Sequence, residues 1–167
     1  QARSLLETSV EKYERAMHID ATHAKAALNW GNALRMLAGL EAKRSVELGR
    51  DLYRRACDKC ALALELDQED ADIVVNWADI MLEFGQFEEQ HNRDRARELY
   101  EGAVVKYEMA IDLDDDMMRA KKNGGRTLVR LAELIIDYDP NTALSLYEKS
   151  CQKLEEALDL KPECLEV

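Results

Sequence analysis

The chain has 167 residues, of which 23 are basic and 34 acidic, giving a formal net charge of −11. This charge opposes nonspecific attraction to nucleic-acid phosphates and to anionic membranes, so nucleic acid is not expected as a partner. Only seven glycines and two prolines occur, while 47% of the residues are hydrophobic, a composition that favours an all-α protein with a packed core. No run of about 18 apolar residues is present, so no direct membrane insertion of this chain is expected.

A period of 47 residues organises the whole sequence. Four similar stretches end at Asp20, Asp67, Asp114 and Lys161. A fixed period in this range is the signature of a repeat array. We therefore predict a single array in which residues 1–20 are the second helix of a truncated repeat, 21–67, 68–114 and 115–161 are repeats, and 162–167 begin a further repeat or a tail.

Aligning the copies by this period predicts seven helices. Apolar and small residues recur at offsets of three and four, which places them on one face of a helix. A lone helix at 2–19 is followed by three antiparallel pairs, whose first helices run over about 21–40, 70–87 and 115–138. Ser45, Asn92 and Asp139 are the predicted N-caps of the second helices, with Pro140 at the first helical position. Cys164 and Leu165 fall where another first helix would begin, so we expect the array to continue beyond both ends.

The third repeat differs from the first two. Trp30 and Trp77 are equivalent by the period, and Gly124 takes their place. The pair Gly124 and Gly125 inside a helix costs about 2 kcal/mol relative to two alanines, which predicts the close approach of a neighbouring helix or of a ligand. A column of lysines, Lys12, Lys59, Lys106 and Lys153, is expected to face water.

Other candidate sites are better explained as parts of the packed fold than as sites that bind a ligand or a metal. Cys57 and Cys60 lack a second CxxC and lie in apolar columns, so we predict buried thiols rather than a zinc or redox site. With no histidine placed to ligate a metal and no catalytic constellation, we expect neither cofactor nor enzymatic activity. Asp112–Asp116 lacks the pattern of a calcium loop and predicts an acidic N-terminus on the next helix, which we expect to begin at Asp115. The four cysteines are too few for a secreted disulfide framework, so we expect an intracellular protein, cytoplasmic or facing the cytosol.

The helix pairs resemble the tetratricopeptide repeat (TPR). Its pattern of W-x2-L-G-x2-Y followed by A-x3-F can be laid on Ala27-x2-Trp30-Gly31-x2-Leu34 and on Ala56-x3-Cys60. The standard repeat has about 34 residues, so each copy here carries about 13 more. Lengthened pairs of this kind resemble those of the plant mitochondrial outer-membrane import receptor.

The TPR resemblance implies that the first helix of each pair lines a concave groove that binds a peptide. The lining residues expected to contact it are Asn29, Asn32, Asn76, Arg119, Lys122, Asn123, Arg126 and Arg130. The side chains of the third repeat are basic, and over distances within about 8 Å they attract an acidic segment despite the net charge. We therefore predict a noncatalytic protein-interaction scaffold that binds a protein or peptide, with an acidic stretch at the third repeat.

Several alternatives remain open. The basic stripe of the third repeat could be a solvated face that pairs with Glu133 or Asp137, and the asparagine column could form helix-to-helix hydrogen bonds. A carboxylate clamp of the kind found in chaperone-tail-binding TPR proteins lacks two of its five roles, since Leu28 replaces a lysine and Asn123 an arginine. The chain could also be a structural subunit that packs through its outer faces, or the domain of an organelle protein-import receptor.

Overall fold

The computed structural model describes residues 2–159, and within that range the chain is entirely helical outside its turns. Its seven helices are α1 Ala2–Ile19, α2 Ala24–Glu41, α3 Val46–Leu66, α4 Ala71–Glu88, α5 Arg93–Leu113, α6 Met118–Ile135 and α7 Pro140–Asp159. Helices α2 and α3, α4 and α5, and α6 and α7 form closely packed pairs, and the pairs stack on one another. The predicted all-α solenoid is confirmed. The module end at Lys161, and the further helix predicted at Cys164 and Leu165, lie outside the described residues.

The extra residues of each repeat lengthen its helices. A repeat consists of an 18-residue first helix, a four-residue loop, a 21-residue second helix and another four-residue loop. At 1.5 Å per residue the two helices are about 27 and 31 Å long. No helix among residues 2–159 is long and apolar enough to cross a membrane.

Side-chain caps start the second helices where the sequence predicted them. The hydroxyl of Ser45 accepts a hydrogen bond from the Leu48 N–H at 3.3 Å, and the amide oxygen of Asn92 accepts one from the Arg95 N–H at 3.0 Å. A third cap, the carboxylate of Asp139, accepts from the Thr142 N–H at 3.1 Å, immediately before Pro140 opens α7. Each cap satisfies one of the N–H groups that have no partner within the helix.

The acidic run before α6 does not form its first turn, so that prediction is wrong. The Asp116 N–H donates to the Asp114 carboxylate at 3.0 Å, an Asx turn that keeps this segment out of the helix. As a result α6 begins only at Met118, and its start has no side-chain cap. The carboxylate of Asp115 instead lies 3.0 Å from Lys121 Nζ, where it neutralises a side chain that is only 8% exposed.

Small residues hold the two helices of a pair close together. Ala56 and Ala103 are completely buried, and Ser150, their equivalent in α7, is 2% exposed. A Cβ atom added at Gly31 would lie 3.1 Å from the Ala56 carbonyl oxygen. At the equivalent place in the third pair, the Ser150 hydroxyl donates to the Gly125 carbonyl at 2.9 Å.

The predicted close approach at the paired glycines comes from neighbouring helices. A Cβ atom at Gly125 would lie 2.9 Å from Leu154 Cγ in α7, and one at Gly124 would lie 3.2 Å from Tyr107 Cβ in α5. The third repeat therefore packs differently from the others, as predicted, because the Tyr107 side chain lies against Gly124, the position at which the first two repeats have a tryptophan.

The lysine column does not simply face water. Lys59 Nζ lies 3.8 Å from the centroid of the Trp30 ring, and Lys106 Nζ lies 4.1 Å from that of Trp77. These are cation–π contacts within a helix pair. Lys153 has only Gly124 at the equivalent place, and its Nζ lies 3.8 Å from Glu156 instead.

Buried ion pairs join one repeat to the next, a feature that the sequence analysis missed. Glu88 at the end of α4 is completely buried, and its two carboxylate oxygens accept hydrogen bonds from Arg50 of α3 at 2.6 and 3.0 Å. One repeat earlier, Arg3 Nε lies 3.1 Å from the buried Glu41 carboxylate. The equivalent of these arginines in α5 is Arg97, and isoleucine replaces the expected glutamate. Among the described residues the buried Nε of Arg97 has no hydrogen-bond partner.

We predict that Glu88→Ala lowers the free energy of unfolding by about 3–5 kcal/mol, because it leaves the Arg50 guanidinium without its buried counter-ion. Urea denaturation followed by circular dichroism measures the change. Glu47→Ala is the matched control, since Glu47 also pairs with Arg50 but its side chain is 83% exposed, and it should cost less than about 1 kcal/mol. Equal losses for the two variants would contradict this account of the α3–α4 interface.

The cysteines of α3 belong to the core, as predicted. Cys60 is completely buried and Cys57 is partly buried against the same hydrophobic cluster. Burial raises the pKa of each thiol to about 12. Cys151 on α7 is exposed. The described residues contain no group of three or more His, Cys, Asp or Glu side chains placed to hold a metal ion.

These pKa values predict selective alkylation. At pH 8 nearly all Cys57 and Cys60 thiols are protonated and therefore unreactive, because burial raises their pKa well above that pH. In a Cys164→Ser variant, which removes the cysteine outside the described residues, iodoacetamide should modify Cys151 rapidly and the other two thiols only after unfolding. Mass spectrometry of the native protein counts the modified sites. Rapid native modification at Cys57 or Cys60 would show that the α3 core is open.

Candidate functional site: the groove of the first helices

The first helices form the inner layer of the solenoid. Helix α2 contacts α4, and α4 contacts α6, while α3 and α5 each pack on the first helix of their own repeat and on that of the next. Because neighbouring first helices approach each other directly, their shared surface is the concave one. We call this surface the groove.

Two neighbouring helices of the groove carry opposite charge. Helix α4 has four carboxylates and no basic side chain, whereas α6 has five basic side chains and one carboxylate. The groove therefore has an acidic half on α4 and a basic half on α6, within a chain whose net charge is −11. Helix α2 has two basic side chains, Lys25 and Arg35, and one carboxylate, the buried Glu41.

Asp79 of α4 ties the two halves together. Its Oδ1 atom accepts hydrogen bonds from the Tyr107 hydroxyl and, at 2.9 Å, from the Asn123 amide, while Arg119 Nε lies 3.6 Å from Oδ2. Burial and the neighbouring Asp79 carboxylate raise the pKa of Tyr107 above its usual value. Two predicted peptide-binding residues, Asn123 and Arg119, are thus engaged with Asp79 across the α4–α6 interface. For Asn123 this is the helix-to-helix hydrogen bond that the sequence analysis left open as the alternative to peptide binding.

The other predicted asparagines do not form a common ladder. The Asn76 amide donates to the Asp72 carbonyl of its own helix at 2.6 Å, and Asn29 and Asn32 lie half-buried on α2. Leu28, which occupies one clamp position, is only 8% exposed. Equivalent sequence positions therefore have different hydrogen-bonding roles in successive repeats.

The predicted basic residues of α6 divide into paired and unpaired side chains. Arg130 lies 3.7 Å from the Glu133 carboxylate one turn away. This ion pair agrees with the alternative in which the basic stripe is a solvated face that pairs with Glu133. Lys122 and Arg126 are exposed, and neither forms an ion pair with any residue between 2 and 159. Both Arg126 and Arg130 line a shallow cleft between α4 and α6.

A second cleft, which the sequence analysis did not predict, lies between the C-terminal halves of α2 and α4. It is lined by Gly39, Ala42, Lys43, Tyr53, Glu83, Gln86, Phe87, Gln90 and His91. Its aromatic rings pack against one another at tilted angles, with the Phe87 ring centroid 4.6 Å from that of His91 and 5.8 Å from that of Tyr53. Beside it the Arg35 guanidinium pairs with the Glu83 carboxylate. The Glu83 side chain is 39% exposed.

Three solved structures are similar to the chain at low sequence identity. A structure described as "DHF58 filament" is 19% identical with a TM-score of 0.51, over 96% of this chain and 82% of that one. YrrB, described as "a TPR protein with an unusual peptide-binding site", is 20% identical with a TM-score of 0.35, over 96% of this chain and 80% of YrrB. MamA is 13% identical with a TM-score of 0.39, over 95% and 90%. At these identities the likeness concerns the helical-repeat fold alone.

Among curated proteins no sequence matches the chain. A family model does, however, match residues 51–166, which is more than half of the chain and includes α4 to α7. Its description is "Plant specific mitochondrial import receptor subunit TOM20". The matched range contains both the acidic helix α4 and the basic helix α6 of the groove. The chain therefore belongs to the plant-specific family of the mitochondrial import receptor subunit TOM20.

Proposed function

We propose that the chain is a noncatalytic receptor domain at the mitochondrial surface, facing the cytosol, which holds a segment of a precursor protein in its groove. The observation that carries this proposal is the family match over the residues that build α4 and α6. Mitochondrial targeting peptides are amphipathic, rich in arginine and serine and poor in acidic residues. A receptor for them needs apolar surface next to carboxylates.

The acidic half of the groove has this combination. Asp72 is exposed on α4, and Glu83, although it pairs with Arg35, keeps 39% of its side chain exposed beside the Phe87 ring. On α2 the Met36 side chain is 54% exposed. An amphipathic helix laid here contacts these apolar side chains with one face and places its arginines near the carboxylates, a recognised mode of peptide binding. Salt at physiological concentration screens such attractions beyond about 8 Å, so the nearby carboxylates dominate.

The basic half sets the orientation of the bound segment. Lys122, Arg126 and Arg130 repel a basic helix that extends over α6 and attract an acidic stretch of the same ligand or of a second protein. The half-buried amides of Asn29 and Asn32 offer donors and acceptors to the ligand on α2. In this proposal a ligand lies with its basic part on α4 and any acidic part on α6.

Charge reversal of the basic half tests this arrangement. Lys122→Glu with Arg126→Glu and Arg130→Glu should tighten the binding of a basic amphipathic peptide about fivefold, because repulsion at one end of the groove becomes attraction. The same variant should weaken binding of a peptide in which glutamates replace the arginines. Fluorescence anisotropy with labelled peptides of about 18 residues, with leucines at i, i+3, i+4 and i+7, measures both affinities.

The matched control is Lys12→Glu with Arg15→Glu and Lys149→Glu, which makes the same change in net charge at exposed positions on the second helices. If this control changes both affinities as much as the groove variant does, net charge rather than the groove is responsible. If the unmodified protein fails to bind the basic peptide at low salt, the import-receptor proposal is wrong.

A further inference from the structure

The third repeat has an open slot beside α6 and α7. In the first two repeats the first helix of the following repeat, α4 or α6, covers one side of the preceding helix pair. Three positions on that side are buried or half-buried in the first two repeats and exposed in the third. They hold Leu28, Val75 and Lys122 on the first helices, and Cys57, Val104 and Cys151, then Leu64, Ile111 and Leu158, on the second helices. Among residues 2–159 no helix fills the equivalent slot on the third repeat.

This slot is basic on one side and apolar on the other. Lys122 and Arg126 of α6 are exposed, and neither forms an ion pair with another described residue. On the side of α7 the Leu158 side chain is 60% exposed, and Cys151 is exposed as well. A segment that fills the slot therefore needs a carboxylate that meets α6 and an apolar side chain that packs between the two helices.

The period of 47 residues identifies the position that faces Arg126. Arg126 is the equivalent of Asp79, and the residue that approaches Asp79 from the next repeat is Arg119, whose Nε lies 3.6 Å from the Asp79 carboxylate. The equivalent of Arg119 one repeat later is Glu166. The two positions exchange the sign of their charges together, as a contact between them requires.

The neighbouring residue supports the same placement. Val167 is the equivalent of Ile73 and Ala120, which are 1% and 0% exposed in the first turns of α4 and α6. It is therefore apolar at a position that the following helix buries in both earlier repeats. Glu166 falls at the second residue of such a helix, where the helix dipole favours a carboxylate.

We propose that residues 160–167 dock in this slot as the start of a further first helix, with Glu166 paired to Arg126 and Val167 packed between α6 and α7. An acidic ligand that approaches α6 then has to displace Glu166. Because both groups belong to one chain, the effective concentration of Glu166 at α6 is high, and it competes with such a ligand. This inference goes beyond the proposed function, since it does not depend on what the groove binds at α4.

Cross-linking in the 167-residue chain tests the docking. In Arg126→Lys a carbodiimide should join the amine at position 126 to the Glu166 carboxylate, because this reagent links an amine to a carboxylate that it already contacts. Mass spectrometry of the tryptic peptides identifies the link. Arg130→Lys is the matched variant one turn later on α6 and should instead link to Glu133, with which Arg130 pairs. The link to Glu133 without the link to Glu166 would overturn the docking.

Glu163 is a control within the same reaction. Its equivalents, Glu69 and Asp116, are exposed loop residues that form no ion pair with the rest of residues 2–159. Position 126 should therefore not be linked to Glu163, although that carboxylate is only three residues from Glu166. Equal linking of both carboxylates would show that the segment has no defined place in the slot and would overturn the proposed pair.

Binding of an acidic peptide tests the competition. Glu166→Ala should tighten about threefold the binding of the peptide in which glutamates replace the arginines, because it frees Arg126. Glu163→Ala makes the same change in net charge and should leave the affinity unchanged, and in an Arg126→Ala background the difference between the two variants should vanish. Equal affinities of Glu166→Ala and Glu163→Ala, or no binding of this peptide to Glu166→Ala, would overturn the competition. Failure of the basic peptide to bind bears only on the receptor function.

Discussion

The close approach of the two helices within each pair is the constraint on which the rest of the structure depends. At the crossing point the first helix has Gly31 or Gly125 and the second has Ala56 or Ser150, and atoms of the two backbones come almost into contact. Larger side chains here would separate the helices and open the layer behind the groove. Between repeats larger side chains pack together, as Phe84 of α4 does against the Tyr53 ring of α3 with the ring centroids 5.2 Å apart. The opposite face of each first helix is then free to carry charge.

The interfaces between repeats are less uniform than the pairs, and they show how the repeats have diverged. Arg50 and Glu88 form a buried ion pair between α3 and α4, whereas Arg97 at the equivalent place in α5 faces a repeat in which isoleucine replaces the glutamate. The size of the side chains at this interface also differs between repeats. Tyr107 packs against Gly124 in the third repeat, while the tryptophans at the position of Gly124 in the first two repeats lie beneath lysine side chains. The third repeat thus keeps the backbone arrangement with different side-chain contacts. Its helix α6 is also the one that carries the basic half of the groove.

The sequence alone predicts the features that depend on local chemistry or on the period. The caps Ser45 and Asn92, the seven helices and the buried thiols follow from residue types at fixed positions, and the structure confirms them. The late start of α6 was not predicted because an Asx turn at Asp114 competes with helix formation. The contacts of Asp79 were also missed, because they join residues 28 to 44 positions apart that the period itself does not pair. A spacing of 38 residues between Arg3 and Glu41, repeated in the next copy, is a signal that could have revealed the buried ion pairs.

The groove also shows why net charge is a poor guide to the partner. A ligand that binds within the groove meets the charges of α4 and α6 at distances shorter than the screening length, while most of the other acidic side chains lie farther away. The free charges matter most. Asp79 is already satisfied by Tyr107, Asn123 and Arg119, whereas Asp72 is exposed on α4 and Lys122 and Arg126 are exposed on α6 without ion pairs among the described residues. Asp79 and its partners therefore fix how α4 sits against α6, and the unpaired charges on either side of them remain available to a ligand. Structural charges and free charges are thus separated within one groove.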